Sequence, residues 1–159
     1  MKRAGLFTII LFLTAIIYSS CKEDIYMDWK LRNDRWYTTL EDSITKDTLH
    51  IFHKTSSGLY YKVLGQGNER YPNGGDWVIM RRTGTLIDGS AFDALDTIGT
   101  YLTTSYVPQG LVEGISLMQN GGHYIFYLPS SIGYDTITTN SSIPPYSVLK
   151  YDIRLLKSY

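Results

Sequence analysis

The chain has 159 residues, with 15 Lys and Arg against 15 Asp and Glu; it is long enough for one domain with appendages and too short for two comfortable cores. No basic run is long enough to follow a phosphate backbone, so nucleic acid is not expected as a partner. With 14 tyrosines and runs such as Tyr124-Ile125-Phe126-Tyr127-Leu128, the sequence joins aromatic and β-branched residues as half-buried sheet does, and a mainly β domain is expected.

The first segment is of a different kind. Lys2-Arg3 precede an apolar run from Leu6 to Ile17, shorter than the roughly 20 residues a bilayer-spanning helix needs, and together they have the form of a secretory signal. The run ends in Tyr18-Ser19-Ser20-Cys21, and Cys21 is the only cysteine, so neither an internal disulfide nor a cysteine metal cluster is available. The position resembles the lipobox of bacterial lipoproteins, in which that cysteine is lipidated and becomes the mature N-terminus; Tyr18 stands where an aliphatic residue is usual. The competing reading is an ordinary secreted protein with a chance cysteine. On the lipoprotein reading, residues 1–20 are the signal peptide and residues 21–56 a tether with an amphipathic helix. The mature chain, without Lys2 and Arg3, keeps a slight acidic excess. Lys22-Glu23-Asp24 either forms a solvated linker or resembles the acidic surface-export signals of some Bacteroidota lipoproteins.

Trp29, Trp36, Leu40 and Ile44, with Tyr37 beside them, recur at helical spacing and predict a helix over 27–40, extending towards 44. A stripe of this sort more often docks on its own domain than on a partner. From Leu59 the pattern turns to strands and turns. Residues 59–64 read as a strand, Pro72-Asn73-Gly74-Gly75 as a turn, and Trp77-Val78-Ile79-Met80 as the start of a strand running to an Asp88-Gly89 hairpin, where Gly accepts the positive φ a tight turn demands. Leu111, Ile115 and Met118 share one face of a short buried helix interrupted by Gly114. Strands are expected over 123–128 and 149–156, with a long loop over 129–145 between them.

Other signals are weak. His50 and His53 have no third ligand at a suitable spacing, and a strand histidine such as His123 is more often packed or solvent-facing than catalytic, so no metal is expected. Gly65-Gln66-Gly67 lacks the further glycine and the βαβ setting of a dinucleotide loop.

Five segments in order, SGLYYKVL (57–64), TGTLIDGSAFD (83–93), GLVEGISLMQNGG (110–122), PSSIGYD (129–135) and IPPYSVLKYDIRLL (143–156), resemble the FKBP-type peptidyl-prolyl cis-trans isomerases over residues 57–159. The resemblance implies an α+β fold, a curved antiparallel β-sheet wrapped around one short α-helix, here with an extra N-terminal helix. It also implies a prolyl-binding hollow with no cofactor. Phe92, Ile143 and Tyr151 would be its apolar walls, Tyr134 the hydroxyl donor to a substrate carbonyl, and Asp93 the group orienting the peptide or a neighbouring side chain. Expected partners are proline-containing polypeptides and, through the lipid, a membrane, with the chain itself monomeric and facing the periplasm or the cell surface.

The site departs from the family pattern at several positions. Tyr151 stands for the usual Phe, Leu111 for the Trp that usually floors the pocket, Arg82 for a common Tyr, and Asp135 for a Gly. Aligned without a gap from Gly110, Pro108 replaces an aliphatic residue whose backbone N–H donates to the substrate; with Gln109 as an insertion, Val107 would keep that donor. The two functional expectations are an envelope-anchored isomerase assisting exported proteins and a degenerate member that binds without efficient turnover. Arg82 separates them, according to whether it plugs the hollow.

Overall fold

The computed structural model describes residues 25–68, 70–103, 107–136 and 142–159; Cys21 and the signal segment lie outside the described residues. Helix α1 (Met27–Thr45) is followed by strands β1 (Phe52–Lys54), β2 (Tyr60–Gly65), β3 (Trp77–Thr85) and β4 (Ala91–Tyr101). Helix α2 (Gln109–Ser116), β5 (His123–Leu128), a 3-10 turn (Ser130–Ile132) and β6 (Leu149–Ser158) complete the order. All six strands pair antiparallel in one sheet, in the order β1-β2-β5-β6-β3-β4. The expected α+β architecture, a curved antiparallel sheet with a short helix and an extra N-terminal helix, is the one observed.

Side chains alternate across a strand, and here both faces of the sheet are covered. On the inner face, Leu59, Tyr124, Phe126, Leu128, Leu149, Tyr151, Ile153 and Leu155 pack with Leu111 and Ile115 of α2. Leu111 and Ile115 are fully buried, each contributing about 1.5–3 kcal/mol of transfer free energy. Gly114, which interrupts the apolar pattern in the sequence, is a point of close approach: a Cβ there would stand 2.8 Å from Cδ1 and Cε1 of Phe126. The missing side chain lets α2 settle onto β5.

On the outer face, Phe52, Tyr60 and Tyr127 meet Leu40, Trp36, Tyr37 and Ile44 of α1. Ring centroids lie 5.8 Å apart for Trp36 and Tyr127 and 5.0 Å apart for Tyr37 and Tyr60. The helical stripe therefore docks on its own domain, and α1 runs to Thr45 because Ile44 belongs to that contact. The contact reaches β1, a strand of three residues upstream of residue 57 that the sequence pattern does not mark.

The Asp88-Gly89 turn joins β3 to β4. The Leu86 N–H donates to Ser90 O at 2.9 Å and the Gly89 N–H to Leu86 O at 3.0 Å, with Gly89 at φ +87. Beyond the turn the pairing slips. Gly84 faces Asp93 but Thr85 faces Ala91, leaving Phe92 as an extra residue on β4. A bulge of this kind re-aims neighbouring side chains: Phe92 packs against the inner core cluster and Asp93 meets Arg82.

Candidate functional site

The site forms where β3, β4 and β6 meet the loops around α2 and after β5. Gly84 pairs with Asp93 on one side and Tyr151 on the other, so the residue between them has no side chain and the Phe92 ring lies over it. The Phe92 and Tyr151 rings meet edge to face at 90° with centroids 5.4 Å apart, a favoured aromatic geometry. Leu111 and Ile143 are buried in the same apolar cluster, with Val107 and Tyr134 packed against it. The expected wall residues are thus brought together. Leu111 is wholly buried and gives the cluster an aliphatic side chain in place of a flat indole.

Arg82 and Asp93 are diagonal neighbours across the β3–β4 pairing, because register shifts on both sides of Arg82 set it opposite Leu95 while Asp93 faces Gly84. The Arg82 Nε lies 2.6 Å from Asp93 Oδ2, with the two side chains only 15% and 16% exposed. The contact is a close pairing of charges and not an aligned hydrogen bond, since the Nε–H makes none. The guanidinium also stands 6.0 Å from the Tyr151 ring centroid, at the outer limit for attraction to a π face. Of the two roles the resemblance left open for Asp93, orienting a neighbouring side chain has a definite partner in Arg82. Their pairing depends on the bulged register, which the spacing of the two residues along the chain does not reveal.

Tyr134 follows the 3-10 turn, where the Gly133 and Asp135 N–H groups both donate to Ser130 O at 2.9 Å. Asp135 has φ +48, a left-handed conformation that Asp tolerates better than most residues do and Gly adopts freely. That accounts for an Asp standing where the resembled family has Gly. Burial pushes the Tyr151 hydroxyl well above the usual tyrosine range, and the adjacent Tyr134, which shares a hydrogen bond with it, reinforces the shift. Tyr151 therefore stays protonated, and its extra hydroxyl finds its partner in Tyr134.

Pro108 is the N-cap residue of α2, at φ −57 and ψ 141. Its carbonyl accepts from the N–H groups of Leu111 at 2.9 Å and Val112 at 3.1 Å. The helix begins at Gln109, earlier than its apolar pattern alone suggests, and Pro108 offers no N–H at its entrance. His123 lies apart on the outer face, its Nε2 2.8 Å from Asp152 Oδ1.

Comparison with known proteins supports the same assignment. The family described as FKBP-type peptidyl-prolyl cis-trans isomerase matches residues 68–156. The chain is 33% identical over 132 residues to a probable FKBP-type peptidyl-prolyl cis-trans isomerase FkpA of Neisseria meningitidis, covering 82% of this chain and 47% of that protein. It is 32% identical over 103 residues to the outer membrane protein MIP of Legionella longbeachae, covering 63% of this chain and 44% of the relative. The chain spans about half the length of the curated relatives it matches. The crystal structure of FkpA from Escherichia coli superposes with a TM-score of 0.77 at 25% identity, over 96% of this chain and 71% of that one. Sheet topology, inward-facing aromatic residues and the matched region lead to one conclusion: the chain belongs to the FKBP-type peptidyl-prolyl cis-trans isomerase family.

Proposed function

We propose that this protein is a peptidyl-prolyl cis-trans isomerase held in the cell envelope by a lipid on Cys21, where it assists the folding of exported polypeptides. Rotation about an X-Pro bond faces a barrier of roughly 18–20 kcal/mol because amide resonance is lost. An apolar hollow withdraws water from the planar, polar amide, and hydroxyl or amide donors then favour the twisted form. Phe92 and Tyr134 are partly exposed side chains of the cluster, backed by the buried Tyr151, Leu111 and Ile143; Phe92 would supply apolar surface and Tyr134 a hydroxyl at the loop. The observation that carries the reading is the pairing of Arg82 with Asp93, which offsets the guanidinium charge beside the aromatic residues with a carboxylate.

The full chain is expected to accelerate the slow refolding phase of a test protein limited by prolyl isomerisation, a phase that takes tens of seconds uncatalysed. The acceleration should rise in proportion to added protein. A slow phase unchanged at equimolar protein contradicts the proposal.

A second reading, a prolyl-binding module with slow turnover, is favoured by the absent N–H at Pro108 and the aliphatic Leu111. The two readings share a binding site and differ in rate.

The anchoring part rests on the sequence around Cys21 and agrees with the designation of one relative as an outer membrane protein. Cells fed a labelled fatty acid should incorporate it into the wild-type protein and lose that label in Cys21→Ala, with the variant recovered in the soluble envelope fraction. Label retained in the variant contradicts acylation at Cys21.

A further inference from the structure

We infer that Trp29 and Asn33 of α1 are positioning residues for the 143–148 loop, which carries the wall residue Ile143. The inference rests on the prolyl-binding reading of the inner hollow and assigns the N-terminal helix a part in it.

Asn33 is fully buried, although α1 is otherwise polar on most of its surface. Both functions of its amide are engaged. The Nδ2–H donates to Trp29 O at 2.8 Å, and Oδ1 accepts from the Val148 N–H at 2.8 Å. One turn earlier, the Trp29 indole N–H donates to Ser147 Oγ at 2.9 Å, and that hydroxyl donates to Pro144 O at 2.6 Å. Lys30 Nζ stands 5.8 Å from the centroid of the Tyr146 ring. Three side chains on successive turns of α1 thus meet three consecutive loop residues, two of them by hydrogen bonds.

The grip surrounds a backbone that does not hold this shape unaided. Tyr146 has φ +63, a left-handed conformation that a bulky side chain disfavours and that persists where the surroundings impose it. The Tyr146 N–H donates to Asp135 O at 2.9 Å, next to Tyr134, so the loop that α1 fixes also braces the segment bearing the proposed hydroxyl donor. A buried amide with both ends satisfied fixes its neighbours more narrowly than apolar packing does. Trp36, Tyr37, Leu40 and Ile44 already dock α1 on the outer face; the Trp29 and Asn33 contacts extend the same helix to the rim of the hollow.

The test compares Asn33→Ala, Asn33→Asp and Trp29→Phe in the full chain, each checked for cooperative unfolding. Two quantities are read: kcat and KM for a Leu-Pro test peptide, and hydrogen exchange at the Tyr146 amide, whose own partner none of the substitutions removes. Asn33→Ala should raise KM about tenfold with kcat changed less than threefold, and should speed exchange at Tyr146 at least tenfold. Asn33→Asp keeps an acceptor for Val148 but loses the donor to Trp29 O and buries an unpaired carboxylate, so it should not rescue either quantity at neutral pH. Trp29→Phe should raise KM two- to fourfold, and it carries the test if Asn33→Ala does not fold. Wild-type KM together with wild-type Tyr146 exchange in folded Asn33→Ala, or in Trp29→Phe if that variant alone folds, overturns the inference. If the wild-type chain neither binds nor isomerises the peptide, the functional reading fails and the positioning role with it, while Tyr146 exchange still reports whether α1 holds the loop.

Discussion

Replacing Arg82 with Met is expected to destabilise the fold by about 2–4 kcal/mol, because it leaves the Asp93 carboxylate largely out of water without its counter-charge. Met is close to Arg in stem length, so the substitution removes the charge more than the volume. Breaking a fully buried pair costs about 3–5 kcal/mol; the residual exposure of 15% and 16% admits some solvent and lowers the expectation. Asp93→Asn should be costly for the mirror reason, since a mostly buried guanidinium is then unpaired. The double variant Arg82→Met with Asp93→Asn should recover most of the loss, because no charge of the pair remains to need a partner. Urea unfolding of the four proteins at neutral pH gives the coupling directly. A single-variant loss below about 0.5 kcal/mol, or simple additivity in the double variant, shows that the pair is solvated and that Arg82 is not held as described.

Pro108→Ile is expected to strengthen binding of a prolyl peptide by roughly tenfold to a hundredfold, the worth of one additional well-placed donor at about 1.4 kcal/mol per decade. The backbone at Pro108, φ −57 and ψ 141, lies in the extended region that an aliphatic residue adopts without strain. In the ungapped alignment from Gly110 this is the donor position. Ile would then supply the N–H that proline lacks while leaving its own carbonyl free to cap Leu111 and Val112. Titration calorimetry on the full chain reads the change. An affinity that is unchanged or lower assigns the donor to Val107 and makes Gln109 the inserted residue.

The parts of this molecule legible in the sequence are those in which one residue's environment depends on its near neighbours. Strand β6 alternates over residues 149–155 because one face meets the inner core. Strand β5 is legible from its aromatic and β-branched run although Tyr127 is covered by α1, and α1 shows its stripe because Trp36, Leu40 and Ile44 face one surface. Strand β1 has too few residues to display a period. Strand β4 lies at the sheet edge, and most of its side chains are exposed, so its pattern carries little apolar contrast. The candidate walls Phe92, Ile143 and Tyr151 follow from ordered motifs. The partner of Arg82 does not, since only the register shifts around β3 set it beside Asp93. Asn33 is hidden for a related reason: one of its two hydrogen bonds joins α1 to a residue 115 positions away, and a lone polar residue in a helical stripe gives no sign of being buried. Gly114 reads as a weak point in a helix until the Phe126 ring is seen against it.

Exchange spectroscopy on a Leu-Pro test peptide, comparing the full wild-type chain with Tyr134→Phe, tests the central claim most directly. It reads the cis–trans rate at equilibrium, with no coupled protease or refolding step. The wild-type chain should accelerate exchange saturably. Tyr134→Phe keeps the ring but removes both the proposed donor and the partner of the buried Tyr151 hydroxyl. It should cost about 1–3 kcal/mol of stability and lower the catalysed rate by roughly fivefold to 150-fold, equivalent to about 1–3 kcal/mol if the substrate bond forms mainly in the transition state. An exchange rate that does not rise with wild-type protein contradicts the isomerase assignment, and equal acceleration by both proteins contradicts the role given to Tyr134.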